Sequence, residues 1–99
     1  MSDCFGMDAN EGVKHDHGKP MFRLIPQHAL EEVAKVMTFG AQKYAPNNWM
    51  LVPSGHDRYV DAALRHINAH LRGDRHDDES SLSHLAHAVA SLMMALEMD

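Results

Sequence analysis

His84 and His87 stand three residues apart in a stretch of helical periodicity. Their rings therefore project to one side and can share a divalent cation or a phosphate group. The same spacing also suits two interface histidines bonded to backbone or carboxylate partners, and it weighs the two readings about evenly. Glu31 and Glu32 lie early in another helical stretch, and Asp61 lies in a third. Carboxylates from two helices with histidines from a third suit a hard or borderline ion: magnesium or manganese first, zinc as an alternative. Glu32, at the boundary of its helix's apolar face, can turn into an interhelical site, whereas Glu31 points outward. The expected metal ligands are Glu32, Asp61, His84 and His87, with Glu32 or Asp61 also the candidate catalytic base.

Asp61 and Arg65 are one helical turn apart, the spacing of an i, i+4 ion pair. In an interior cleft the same pair orients a guanidinium fork toward phosphate. Lys19, Lys43, Arg58 and Arg65 together supply the positive charge a triphosphate or cyclic nucleotide needs. Trp49, in a loop, reads first as an anchor packed on the helices and second as a platform for a ligand ring. His66 completes the candidate ligand-binding set. His15 and His17, in a polar arm, are weak evidence for a metal tract. Cys4 has no second cysteine to pair with and no neighbour that would activate its thiol.

Three helices must position these groups. Residues 1–18 show neither period two nor period 3.6 and read as a flexible arm. Lys19–Pro26 reads as an extended lead-in whose apolar side chains can pack across a bundle. From Gln27 to Tyr44, Leu30, Val33, Val36, Met37, Gly40 and Tyr44 gather on one face. Residues 45–55, with two prolines, two asparagines and a glycine, break the helix. A second helix from His56 to Arg72 carries the stripe Val60, Ala63, Leu64, Ile67 and Leu71, and stops at Gly73. A third opens at Glu79-Ser80-Ser81 and continues to Glu97. Its large apolar residues (Leu82, Leu85, Val89, Leu92, Met93 and Leu96) predict the core contact. The opposite row of Ser80, His84, His87, Ala88, Ser91 and Ala95 is small enough to admit another helix, another subunit or a ligand.

The 99 residues suffice for one domain, taken as 19–99, and eight Met with few aromatics favour helices over sheets. The expected fold is all-α: a small bundle of three main helices with an extended N-terminal arm. So short a chain builds a deep pocket with difficulty, which predicts a homo-oligomer, dimer or tetramer. A formal net charge of -5 argues against a nucleic-acid polymer as partner, although nine histidines can offset it at mildly acid pH. No charged-then-apolar leader and no long apolar run is present, so the expectation is a cytoplasmic chain without membrane attachment. No glycine-rich phosphate loop or Ser-His-Asp order appears.

Several blocks occur in a fixed order: Lys-Pro-x-Phe-x-Leu-Ile-Pro from Lys19, Ala-Leu-Glu-Glu-Val-Ala-Lys-Val from Ala29, and Phe-Gly-Ala-Gln-Lys-Tyr from Phe39. Asn48-Trp49, Arg-Tyr-x-Asp-Ala-x-Leu-Arg-His from Arg58 and Glu-Ser-x-Leu-x-His-Leu-Ala-His-Ala from Glu79 follow. This order, covering 19 to about 95, resembles the N-terminal domain of phage dATP/dGTP diphosphohydrolases, itself similar to the MazG-like all-α nucleoside triphosphate pyrophosphohydrolases. The resemblance implies an oligomeric helical bundle in the host cytosol that converts a purine deoxynucleoside triphosphate to the monophosphate and pyrophosphate with a divalent metal. By position, Glu31 and Glu32 match the acidic start of the first MazG-type motif, and His84 and His87 stand where an ExxD motif has its acids. Lys35 replaces a further acid. Exchanging carboxylates for imidazoles removes negative charge and favours transition metals. A second function class therefore stays open, a non-catalytic phage sponge that sequesters a nucleotide or nucleotide-derived signal between subunits. A third treats every histidine as interface packing.

Overall fold

Pro26 opens the first helix, α1 (Gln27–Lys43), from the N-cap position. Its ring nitrogen sacrifices no bond there, and its carbonyl accepts the Leu30 N–H at 3.0 Å. The computed structural model describes residues 11–99, so the expectations for Cys4 and for the rest of residues 1–10 lie outside the described residues. α1 ends where Tyr44 donates to the Gly40 carbonyl, just before Ala45-Pro46. One 3-10 turn, Asn48–Leu51, leads to α2 (Gly55–Leu71), which stops at Gly73 in the left-handed region, φ +90°. α3 is His84–Glu97. Among the described residues β pairing is limited to one isolated antiparallel bridge, His76 to Ser83. The fold is all-α, as expected.

α3 is the central element. It packs along α2 over most of its length and along α1 to a smaller extent, while α1 and α2 scarcely touch each other. The α1–α3 seam is a small apolar cluster of Val33, Val36, Ala86 and Ala90, with Met37 and Leu82 against it. The α2–α3 seam is built from small residues: Ala63 and Ala69 on α2 and Ala88, Ser91 and Ala95 on α3 are all buried. Short side chains let the two backbones approach closely, and dispersion contacts over the whole seam replace the volume of a leucine core. At one end of that seam Met98 lies where a Cβ on Gly55 would sit.

This arrangement turns α3 over relative to the expectation. Of the small-residue row expected to admit another helix, subunit or ligand, His84, Ala88, Ser91 and Ala95 are buried, and the row expected to form the core contact is exposed apart from Leu82, with Leu92 at 45% and Leu96 at 73%. The reason is α2, whose alanines accept only a small-residue partner. The expected stripes on α1 and α2 are inward only in part: Val33, Val36 and Ala63 are buried, whereas Leu30, Tyr44, Leu64 and Leu71 are exposed.

Two further expectations are corrected. α3 starts at His84 and not at Glu79, because Ser83 is the cap: its hydroxyl accepts the N–H groups of Leu85 at 3.0 Å and Ala86 at 3.4 Å. Residues 74–83 instead form a tight loop closed by Asp77 N–H to Leu82 O and Ser81 N–H to Asp77 O, both 2.8 Å. The lead-in curls into a single 3-10 turn, Phe22–Leu24, and its apolar side chains stay exposed, with Phe22 at 77% exposure and Met21, Leu24 and Ile25 also exposed. None of the described helices is long and apolar enough to cross a membrane.

Candidate functional site

Because α1 and α2 stand apart on α3, a cavity of about 600 Å³ opens between them. Its walls include Phe39, Lys43 and Tyr44 from α1 and its end, Asn48 and Trp49 from the connecting turn, and Arg58, Tyr59, Arg65 and His66 from α2. Asp77 and Glu79 of the loop and His87 and Ser91 of α3 complete its polar lining. The Tyr59 hydroxyl donates to the Trp49 carbonyl at 3.2 Å, tying the turn to α2. The Trp49 side chain is half-buried and stands in the cavity wall.

Three imidazoles meet where α2 crosses the first turn of α3. His66 is stacked on His87, centroids 4.7 Å apart and planes 17° apart, and tilted against His84 at 5.1 Å. The Nδ1 atoms of His66 and His84 lie 2.8 Å apart. His87 Nε2 is 2.6 Å from the Ser80 hydroxyl and 4.0 Å from Asp77 Oδ2. His84 is only 7% exposed, and its backbone N–H is fixed to the Arg75 carbonyl at 3.0 Å. Its Nε2 is buried, 3.2 Å from Asp74 Oδ2 but not aligned for a hydrogen bond.

The loop presents its carboxylates through its own backbone. Asp77 Oδ2 accepts the N–H groups of Ser80 at 2.9 Å and Glu79 at 3.1 Å, an Asx-type turn. Burial acts to raise the Asp77 carboxyl, but the Ser80 and Glu79 hydrogen bonds and the His87 charge outweigh it and hold it below the usual range. Burial pushes His66 and His87 down; neighbouring imidazoles add to this, and Asp77 partly opposes it. Both rings are therefore neutral at pH 7, with lone pairs available. The Glu79 carboxylate is paired with Lys43 Nζ at 2.9 Å, and that bond raises Lys43 above its ordinary value.

The sequence-expected residues divide accordingly. Lys43, Trp49, Arg58, Arg65, His66 and His87 all line the cavity, and His84 sits behind His66. Lys19, exposed ahead of α1, does not line it. Glu32 and Asp61 are not brought to the histidines: Glu32 is bonded to Lys35 at 2.8 Å, and Asp61 is exposed on α2. Among the described residues Asp61 and Arg65 form no ion pair. The sequence analysis leaves Asp74 and Asp77 out of the candidate site and places Glu79 at a helix start. The signal for them was Ser83, a better N-cap than Glu79, which leaves Asp77 to Ser81 as a turn.

The family model for the dATP/dGTP diphosphohydrolase N-terminal domain matches residues 9–99. The chain belongs to that family. A relative named dATP/dGTP diphosphohydrolase, from Salmonella phage PMBT28, is 42% identical over 82 residues, 83% of this chain and 28% of that protein. The chain thus spans less than a third of the relative it matches. No solved structure matches it. As a dATP/dGTP diphosphohydrolase N-terminal domain, the chain places its family-like blocks together: Phe39 to Tyr44, Asn48-Trp49 and the block from Arg58 to His66 each contribute walls of the cavity.

Proposed function

We propose that the chain binds a purine deoxynucleoside triphosphate in the cavity between α1 and α2 and hydrolyses it to the monophosphate and pyrophosphate. The observation that carries this reading is that the family-like blocks after Lys19–Pro26 converge on one cavity lined by aromatic and cationic side chains. Its volume lies in the range of small-molecule sites. Trp49 and Tyr44 offer faces for a base, and Arg58, Arg65 and Lys43 offer donors for phosphate oxygens. Along α2, Tyr59 and His66 are separated by about 10 Å of helix rise, room for a nucleoside between the aromatic side chains and the histidines.

Hydrolysis requires a water oxygen to bond to the α-phosphorus while the bond from that phosphorus to the bridging oxygen breaks and pyrophosphate leaves. A divalent ion supplies charge neutralisation at the phosphates and a more acidic water. The donors that would fit one are His66, His84 and Asp77, since two imidazoles and a carboxylate converge there. Arriving phosphate competes with Glu79 for Lys43. As Lys43 turns to the phosphate, the freed Glu79 carboxylate accepts the proton of the attacking water. Glu32 and Asp61 were the carboxylates expected in that role, but neither lines the cavity.

The second reading, sequestration of an intact nucleotide, is supported by the aromatic Tyr44 and Trp49 and the cationic Lys43, Arg58 and Arg65 of the lining, groups that hold a nucleotide without any reaction. Incubation with a panel of deoxynucleoside triphosphates and a divalent ion separates the two: monophosphate and pyrophosphate appear in the first case, and heat denaturation returns intact ligand in the second. We also infer a homo-oligomer. The support is the exposed row Leu85, Val89, Leu92, Met93 and Leu96 on α3, an apolar patch of the kind that marks an association surface.

A further inference from the structure

We propose that His66, Asp77 and His84 form a centre for one zinc-class transition-metal ion, with Asp74 as the positioning residue of His84. The centre deepens the hydrolase reading and rests on it only for the ion's use in catalysis; the ligand set stands on its own geometry.

One ligand atom from each of these three residues lies within 4.8 Å of the other two. Tetrahedral nitrogen and oxygen ligands at ordinary zinc distances stand about 3.3 Å from one another, so the three need only small side-chain rotations to close on an ion. The His66 and His84 Nδ1 atoms, at 2.8 Å, are already closer than that. In this contact one Nδ1 must donate to the other, or both must direct lone pairs at a shared cation.

His84 indicates how the second arrangement is prepared. Its Nε2 is buried beside the Asp74 carboxylate, which takes no aligned hydrogen bond from it. A proton on Nε2, directed to Asp74 by a slight rotation, fixes the tautomer in which Nδ1 is free to ligate. Histidine ligands of metals are oriented by a carboxylate in this way. The backbone of Asp74 is fixed by its N–H to Ala69 O at 3.0 Å, and the Asp77 carboxylate by two backbone N–H groups at Oδ2.

The ligand chemistry selects the ion. Magnesium takes oxygen ligands in near-octahedral geometry, whereas two imidazoles and one carboxylate suit zinc, cobalt or a similar borderline ion. Three protein ligands leave a position open, as in catalytic rather than structural sites. His66 and Asp77 both line the cavity, so that position opens toward the nucleotide. His87, held by Ser80, stands beside the centre and outside the ligand set. The proposed centre takes zinc, the alternative ion of the sequence reading, and shares only His84 with the expected ligand set Glu32, Asp61, His84 and His87.

The test uses the full chain, freed of metal with a chelator and dialysed against zinc or cobalt alone. The expected result is one zinc per chain by elemental analysis, visible cobalt absorption of a low-coordinate nitrogen and oxygen site, and a higher melting temperature with zinc but not with magnesium. Because H84A removes a buried ring and can unfold the chain, the decisive variants are H66A and D77N, with folding checked by circular dichroism. Both should lose the stoichiometric zinc and the cobalt bands, while H56A, at the opposite end of α2, keeps them. D74N should weaken zinc binding about 10- to 100-fold without changing the stoichiometry at saturation. Zinc retained in H66A and D77N, or no stoichiometric zinc in the unsubstituted chain, overturns the centre. Zinc bound without nucleotide turnover overturns the hydrolase reading alone; turnover with magnesium and no zinc binding overturns the centre alone.

Discussion

His66 and His84, eighteen residues apart and on different helices, bring their Nδ1 atoms to 2.8 Å, and this contact ties the cavity wall to the first turn of α3. The contact exists because α2 and α3 meet through alanines. A leucine in place of Ala63 or Ala88 would push the helices apart and separate the rings.

Stability should fall as the histidines are protonated. His66 and His87 have lowered values in the folded chain and about 6.5 in the unfolded one, so the unfolded chain binds protons first as pH falls. Their share of stability is complete above pH 6.5 and is lost as pH falls from there through the lowered folded values. Urea midpoints from pH 8 to 5 should decline across that window, and H87N should flatten the decline. A midpoint that rises on acidification would contradict the assignment.

Removing the α3 cap isolates the loop from the helix. S83A deletes the acceptor for Leu85 and Ala86 N–H and should cost about 1 kcal/mol in urea unfolding. It should also weaken nucleotide binding, since the same turn sets His84 and His87. Unchanged stability would mean the helix starts elsewhere.

The Lys43–Glu79 pair should separate binding from turnover. Both side chains are substantially exposed, so K43A should leave stability nearly unchanged. Loss of a charged donor to phosphate should raise KM about 10-fold or more. E79Q should instead lower kcat by about 100-fold or more, the scale of a lost general base. Steady-state kinetics of E32Q and D61N complete the comparison: a larger kcat loss in either would return the base role to α1 or α2.

The exposed face of α3 should carry the subunit contact. L92E, which places a charge in the row of Leu85, Val89 and Leu96, should shift light-scattering mass to the monomer while helix content by circular dichroism is kept. An unchanged mass would place the contact elsewhere.

Helix type and number were legible from periodicity alone, and so were the stop at Gly73 and the grouping of Val33 with Val36. The orientation of α3 was not. Periodicity separates a large-residue face from a small-residue one, but which face turns inward depends on the partner helix, and Ala63 and Ala69 selected the small one. His84 and His87 were found because their spacing is local. His66 became their partner only through packing, and Asp77 entered the site through a turn whose Asx bonds resemble a helix start in sequence. The cationic residues Lys43, Arg58 and Arg65 were chosen by charge alone, and all three line the cavity, whereas Lys19, chosen in the same way, does not.

The central claim is tested most directly by phosphorus NMR of dATP and dGTP incubated with the full chain and, in turn, zinc, manganese or magnesium. The account predicts that triphosphate resonances give way to equal amounts of monophosphate and pyrophosphate with at least one ion, and that E79Q slows the conversion. Triphosphate recovered intact with every ion would contradict it.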